Sequence, residues 1–453
     1  MKQLAILGAG ESGLGAAMLA KQKGYAVFVS DVGQISPARK IELERLEIPF
    51  EEGKHSEQHI LNADLIIKSP GISPKSELVA KAMLAGISII DELEFAFGYS
   101  NGKVIAITGT NGKTTTTLLT YHLMKEAGLD VGLAGNVGKS WAGQLLEGDH
   151  EWWVIECSSF QIDGFESFRP HIAVLTNITP DHLDRYDYQI DKYIDSKVAV
   201  FKNMRATDQA ILYAEDVLTL EALKNRTILP IQNWISLETA QPKGGHFHGA
   251  SLRINIADKS ASIPLAALPI KGKHNMLNAF FAGSAALAAG VDGQAMIAGF
   301  QTFKNAPHRM EFIREVDGVQ YVNDSKGTNV EATVYALGSY ENPLIWIAGG
   351  VDKGNDYSIL LPCVNEKVKS LICLGKDNEK LKTAFVTAVP NIRETQDMAQ
   401  AVKWGQELGQ SGDVVLLSPA CASFDLFKNY EDRGEQFRQA VENLNPKSPN
   451  ESV

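Results

Sequence analysis

Thr108-Gly109-Thr110-Asn111-Gly112-Lys113-Thr114-Thr115 is the stretch on which the reading of this chain turns. It stands between a short apolar run, Val104-Ile105-Ala106-Ile107, and a segment from Thr115 to Met124 that can continue as a helix. Glycines therefore fall where strand passes into helix, and backbone N–H groups with the helix N-terminus can face an anion. Lys113 supplies a mobile positive charge for the outer phosphates, and the hydroxyl of Thr114 or Thr115 suits a magnesium ion. A strict P-loop has a glycine five positions before Gly112, where this chain has Ile107. Two glycines, Asn111 and the threonine run from Thr114 to Thr117 nevertheless favour a nucleoside triphosphate loop over a plain helix cap.

With 453 residues, 44% hydrophobic and 21% charged, the chain is long enough for about three domains, each with its own core. A net charge of -11 argues against nucleic acid or an anionic membrane as partner, because both need clustered Lys and Arg. Cys157, Cys363, Cys373 and Cys421 form no C-x-x-C pair, so free thiols in a reducing cytoplasm are expected, not a disulfide framework or a zinc site. Met1-Lys2-Gln3 leads straight into Leu4-Ala5-Ile6-Leu7, which reads as a first strand and not as a signal-peptide core. The run Ala279 to Val291 is too short for a membrane span and is interrupted by Gly283, Ser284 and Gly290.

After that first strand, Gly8-Ala9-Gly10-Glu11-Ser12-Gly13 opens a helix to about Lys23, and a second strand runs from Ala26 to Ser30 with Asp31 at its end. The glycines admit a diphosphate and Asp31 suits ribose hydroxyls, so both NAD and a UDP group fit. A strand from Ala63 to Lys68 stops at Ser69-Pro70-Gly71-Ile72-Ser73, and a first domain ends near residue 95.

In the middle of the chain, Asn136 sits in the glycine-bracketed turn Gly135-Asn136-Val137-Gly138. Trp152-Trp153-Val154-Ile155 is a buried strand that ends on the carboxylate of Glu156, which demands a cation or donors and makes Glu156 a magnesium-ligand candidate. The next buried strand, Ile172 to Asn177, opens into Thr179-Pro180-Asp181-His182-Leu183-Asp184-Arg185-Tyr186, where His182 is either a helix cap or a metal ligand. Lys197 is the charged residue in the apolar segment Ser196 to Phe201 and either snorkels or is held at depth with a lowered pKa. Asn275 and Asn278 lie one helical turn apart, suited to a base edge or to capping. Gly244-Gly245-His246-Phe247-His248-Gly249 reads as a hairpin turn, and this domain closes near residue 303.

The last third begins at Pro307-His308-Arg309, where an arginine suits a nucleotide site completed by domain closure. Three further polar loops follow strands: Asn323-Asp324-Ser325-Lys326-Gly327-Thr328-Asn329, Gly349-Gly350-Val351-Asp352-Lys353-Gly354, and Ser418 through Asp425. Strand ends are where open α/β sheets keep their ligands.

Along nearly its whole length the chain resembles the ATP-dependent Mur ligases of peptidoglycan synthesis. The motifs are Thr108 to Thr115, Glu156-Cys157-Ser158-Ser159-Phe160-Gln161, Asp181 to Tyr186, and Asn323 to Asn329; Ser418 to Asp425 points to the D-glutamate-adding branch. The resemblance implies an α/β fold of three domains. These are a Rossmann-like UDP-binding domain (1–95), a central P-loop ATPase-like domain (96–303) and a Rossmann-like amino-acid-binding domain (304–453). It implies a cytoplasmic enzyme that activates UDP-N-acetylmuramoyl-L-alanine with ATP as an acyl phosphate and adds D-glutamate.

By the same resemblance, Gly8, Gly10, Glu11, Ser12, Gly13, Asp31, Ser69, Gly71 and Asn136 meet the UDP-sugar. Gly109 through Thr115 hold ATP with Asn275, Asn278, Arg309 and Asp324. Thr114 and Glu156 hold one Mg2+, while His182 and a carbamate on Lys197 hold a second. Lys113, His182, Lys197 and Lys326 carry catalysis, and Thr328, Lys353, Ser423, Phe424 and Tyr430 form the D-glutamate pocket. Val32-Gly33 departs from the polar or basic residues that relatives often have there, and Tyr430 replaces a common Phe. A sibling ligase for another amino acid, or an NAD-dependent oxidoreductase, are the competing readings.

Overall fold

A computed structural model describes residues 1–268, 273–352 and 354–446. Three sheets follow one another along the chain. The first contains β1 (Gln3–Leu7), β2 (Ala26–Asp31), β3 (Phe50–Glu52), β4 (Leu65–Lys68) and β5 (Ser88–Ile90), in the order 3-2-1-4-5 and parallel throughout. The direction of winding reverses between β1 and β4, so the loops after these strands border a crevice at their carboxyl ends.

The second sheet contains β6 (Lys103–Thr108), β7 (Val131–Gly135), β8 (Trp152–Glu156), β9 (Ile172–Leu175), β10 (Gln209–Tyr213), β11 (Ile231–Ser236), β12 (Gly244–His248), β13 (Ser251–Ile256) and β14 (Lys259–Pro264). Their order is 14-13-12-11-10-9-6-8-7, parallel except for the hairpins joining β12, β13 and β14. The sequence turn expected at 244–249 is thus strand through His248, with Gly249-Ala250 making the reversal. Strands β6, β8 and β9 are buried almost end to end, as parallel strands covered on both faces must be. Their shared register puts Ile107 opposite Glu156 and Thr108 opposite Leu175, so three strand ends meet at one edge.

Both sheets belong to one compact unit, built from residues 1–268 with Leu277–Phe303. One apolar core runs through both sheets, from Leu4, Ile6 and Val29 to Trp141, Trp153 and Phe168, and a smaller cluster around Leu7, Ile66 and Val79 covers the other face of the first sheet. The junction is polar as well as apolar: Ser140 Oγ and the Ala142 N–H both donate to Glu92 Oε1 at 2.7 Å.

The other unit, residues 273–276 with Lys304 onward, contains the third sheet: β15 (Glu311–Val316), β16 (Val319–Asn323), β17 (Leu344–Ala348), β18 (Val368–Leu374), β19 (Ile392–Thr395) and β20 (Val414–Leu417). Its order is 15-16-20-17-18-19, with only β15 antiparallel. Apolar clusters cover both faces.

Candidate active site

The phosphate loop lies between β6 and the helix Lys113–Glu126. Gly109 (φ +141) and Gly112 (φ +83) occupy backbone conformations that side chains rarely adopt, and a Cβ on Gly109 would sit 1.9 Å from Thr176 Oγ1. The segment after β9 holds the loop in shape. Asn177 accepts from Thr110 N–H through its carbonyl and from Asn111 N–H through Oδ1, both at 2.9 Å, while Thr176 Oγ1 donates to the Asn111 carbonyl at 2.7 Å. Lys113 folds back onto its own loop, with Nζ donating to the carbonyls of Gly109 (2.9 Å) and Thr110 (2.7 Å).

Glu156, at the end of β8, is 1% exposed. Asn136 Nδ2 donates to its Oε1 at 2.7 Å, and its Oε2 is buried with no hydrogen-bond partner among the described residues. Such an oxygen is costly unless a cation or donor meets it. Asn136, expected to present its amide to a sugar, thus spends one amide proton on Glu156.

Lys197 does not snorkel. It sits in the helix Ile190–Val198, 2% exposed, with Nζ donating to the Gly109 carbonyl at 2.7 Å. Burial first, and the charge of Lys113 second, hold its amine well below the ordinary lysine range, although Asp181, Glu156 and Cys157 oppose this. His182 is the exposed residue that precedes the turn Leu183–Tyr186, held at φ +51. A left-handed histidine in a polar loop is a strained conformation of the kind kept at functional sites. Among the described residues no three His, Cys, Asp or Glu side chains group closely enough to hold a metal by themselves.

A cavity of about 330 Å³ brings these parts together: Gly71, Lys113, Asn136, Asp181, His182 and Lys197 all line it. Gly8, Gly10, Glu11, Ser12, Gly13, Asp31 and Ser69 do not line this cavity. They gather at the carboxyl ends of the first sheet, where a Cβ on Gly13 would strike the Gly8 carbonyl oxygen at 1.9 Å. Gly13 therefore serves helix–strand packing, whatever else it meets. Asp31 receives N–H bonds from Ala9 and Gly33, each at 2.7 Å, and so shapes the loop as well as ending the strand.

Asn278 is buried and accepts from Thr116 Oγ1 at 3.3 Å, one turn into the phosphate-loop helix; Asn275 is buried one turn earlier on its own helix. In the other unit, Asp324 is buried and accepts from Ser418 Oγ (2.9 Å) and Met310 N–H (3.3 Å), and burial pushes its carboxyl up to about 7. Lys326 Nζ stands 3.6 Å from the Tyr430 ring centroid. Arg309 and Thr328 are half-buried, Ser423 is buried and Phe424 is 73% exposed. Lys353 lies outside the described residues.

Two arginines were not singled out from sequence. Arg185 bonds the loop Pro70–Ile72. Arg433, 1% exposed, ties Ser325, Gly349 and Cys421 together. The signal for Arg433 was available: it shares a helical stripe with Phe437 and Val441, so the pattern alone places a charge on the buried face.

Three family models match the chain. They describe a Mur ligase MurD-like N-terminal domain (residues 2–91), a Mur ligase middle domain (107–286) and a Mur ligase glutamate ligase domain (308–421). The chain is 47% identical to the UDP-N-acetylmuramoylalanine–D-glutamate ligase of Christiangramia forsetii, over 98% of this chain and 100% of that one. It is 45% identical to the ligase of the same name from Cytophaga hutchinsonii, over 97% and 98%. Among solved structures it resembles a pseudomurein peptide ligase type C from Methanothermus fervidus (TM-score 0.62, 17% identity, 98% of this chain and 100% of that one). It also resembles the UDP-N-acetylmuramate-alanine ligase of Thermotoga maritima (TM-score 0.59, 17% identity, 98% and 99%). At that identity these two structures speak for the fold alone.

Proposed function

We propose that this chain, which belongs to the Mur ligase family, joins D-glutamate to UDP-N-acetylmuramoyl-L-alanine at the expense of ATP, a step in making peptidoglycan precursor. Relatives of that name align over nearly the full length. The observation that carries the reading to particular residues is the cavity in which Gly71, from the first sheet, faces Lys113, His182 and Lys197 from the second.

In this reading the loop Gly8 to Gly13 and Asp31 hold the UDP group, with Ser69, Gly71 and Asn136 toward the sugar. Gly109 to Thr115, Asn275, Asn278, Arg309 and Asp324 hold ATP, and Thr328, Lys353, Ser423, Phe424 and Tyr430 hold D-glutamate. The working division is 1–95, 96–303 and 304–453. An oxygen of the alanine carboxylate attacks the γ-phosphorus and ADP leaves. The D-glutamate amine then attacks the acyl carbon, loses a proton, and phosphate departs as the amide forms. Lys113 moves from its own loop carbonyls to the transferring phosphoryl group, where its charge counts most in the transition state. Lys326 supplies a further positive charge.

The residues fit magnesium. Glu156 Oε2 has no hydrogen-bond partner among the described residues, and Mg2+ takes one or two carboxylates and completes its shell with substrate phosphate oxygens and water. Thr114 and Glu156 would hold one ion, and His182 with carbamylated Lys197 a second. Bound there, magnesium neutralises charge developing on phosphoryl oxygens. Burial and the charge of Lys113 shift the Lys197 amine toward its neutral form, the form that reacts with carbon dioxide, which supports the carbamate. The use of ATP and of a nucleotide-linked substrate supports a cytoplasmic site for the reaction. Among the described residues no helix is long and apolar enough to cross a membrane.

The test is an amino-acid screen with UDP-N-acetylmuramoyl-L-alanine, ATP and magnesium. ADP release should require D-glutamate; equal release with L-alanine or a diamino acid would overturn the specificity. Tight NAD binding with no response to the UDP-sugar would overturn the ligase reading.

A further inference from the structure

The cavity wall includes the loop at Pro70-Gly71, Phe160 on the short helix Ser159–Ile162, and His182, and one guanidinium behind it touches the first two from its place just after the third. Arg185 lies in the turn that follows His182. Its Nη2 donates to the carbonyls of Pro70 (2.6 Å) and Ile72 (2.9 Å), and Nη1 to that of Gly71 (3.4 Å). Its Cζ stands 4.0 Å from the centroid of the Phe160 ring, and that ring meets the His182 imidazole edge-on at 5.1 Å. Pro70, Gly71, Phe160 and His182 line the cavity, whereas Arg185 does not.

Three successive carbonyls turned toward one cation have a consequence for the other side of the loop. In a trans peptide the N–H points opposite to the C=O of the same plane. Turning the Pro70 carbonyl to Arg185 therefore turns the Gly71 N–H away from it, and Gly71 is a cavity residue. A planar fork suits this task, since it spans several acceptors in fixed geometry while its face stacks on an aromatic ring; a lysine ammonium cannot do both.

We propose that Arg185 is a positioning residue. It orients the backbone of Pro70–Ile72 to receive an anionic group of the UDP-sugar and, through Phe160, keeps His182 in register with that loop. Acceptor binding and the phosphoryl-transfer site are thereby coupled by one side chain. This rests on the ligase reading above.

The experiment compares wild type with R185M, R185K and R185A, and with K75A as a control that removes only the peripheral Lys75–Asp187 ion pair at the same junction. Acceptor binding without ATP is measured by calorimetry, the KM for ATP and for the acceptor by ADP release, and folding by thermal melting. R185M should weaken acceptor binding by about tenfold or more, as loss of a charge-assisted bond does, with the KM for ATP unchanged. R185K should recover little, K75A should match wild type, and millimolar guanidinium should partly restore R185A.

Acceptor binding by R185M equal to wild type would overturn the proposal, as would equal weakening toward acceptor and ATP, the mark of a merely structural role. If R185M does not fold, R185K decides by the same criteria. Wild type that fails to bind UDP-N-acetylmuramoyl-L-alanine overturns the ligase reading and this proposal together. Wild type and Arg185 variants that bind it alike overturn this proposal alone.

Discussion

Lys113 and Lys197 donate to the same acceptor, the carbonyl oxygen of Gly109, at 2.9 and 2.7 Å. One amine comes from the helix that starts at the phosphate loop, the other from a helix more than eighty residues later in the chain. Two ammonium groups on one carbonyl repel, and the charge of Lys113 is the second cause, after burial, of the low pKa of Lys197. The two amines therefore sit in different environments: burial and the charge of Lys113 push the amine of Lys197 well below the ordinary lysine range, toward the form that a carbamate requires.

Lys113→Ala should lower phosphoryl transfer by about 10²–10³-fold or more, the scale seen when one oriented transition-state donor is lost. It should also raise the pKa of Lys197, because a neighbouring positive charge is gone. Single-turnover formation of ADP measures the first effect. NMR with ¹³C-bicarbonate measures the second, as a smaller fraction of carbamate at neutral pH. Turnover equal to wild type would refute the role.

Lys197→Ala should abolish ligation while leaving ATP binding in place, and short carboxylates such as acetate should restore part of the rate. Such an anion can occupy the place of a carbamate but not that of an ammonium. No rescue in a folded, ATP-binding variant, or rescue by an added amine, would count against a carbamate and in favour of the lysine acting as a cation.

What was legible in sequence was legible for local reasons. The phosphate loop, the strand ending at Glu156 and the loop around His182 each announce themselves by glycine, carboxylate or histidine placed directly after an apolar run. Lys197 left two outcomes open, since helical spacing says that the residue is on the buried side but not whether its amine reaches water. The packing of its helix settles the depth: the side chain is 2% exposed and Nζ reaches the Gly109 carbonyl at the end of β6. Arg185 is silent in sequence because its acceptors are main-chain carbonyls more than a hundred residues away, and carbonyls carry no residue type to notice; Arg433 is marked only by its place on the buried stripe of its helix. The junction between the first two sheets is hidden by distance along the chain: Glu92 meets Ser140 and Ala142 across some fifty residues.

Glu92 gives a pH prediction. Burial raises its carboxyl from 4.5 to about 7, despite bonds from Ala142 and Ser140 that favour the anion; the adjacent Asp91 is likewise raised by burial, to about 8. Both are acids with folded pKa values above their unfolded ones, so the folded chain binds more protons. The stability they contribute is full below the unfolded values and is lost as pH rises through about 7 for Glu92 and about 8 for Asp91. For Glu92 the shift corresponds to about 3 kcal/mol. Glu92→Gln keeps the acceptor oxygen without the charge, so urea midpoints measured from pH 5 to 8 should fall less steeply than in wild type. A variant with an unaltered slope would show that Glu92 is not the group responsible.

Arg433 ties together three loops at the carboxyl edge of the third sheet. Nε donates to Ser325 Oγ at 2.9 Å and Nη2 to the Ser325 carbonyl at 2.8 Å, with longer bonds from Nη1 to the carbonyls of Gly349 and Cys421. These acceptors follow β16, β17 and β20, and the same loops carry Lys326, Thr328 and Ser423. Among the described residues no carboxylate bonds the guanidinium, and burial lowers its pKa to about 10. Arg433→Met should cost about 2–6 kcal/mol, from two well-made acceptors left unpaired at about 1–3 kcal/mol each. Arg433→Lys should fold better yet still raise the KM for D-glutamate more than that for ATP or UDP-sugar, since a point charge reaches one loop and not three. Denaturant titration and steady-state kinetics of the lysine variant decide it: a uniform loss toward all three substrates would reduce Arg433 to a fold residue.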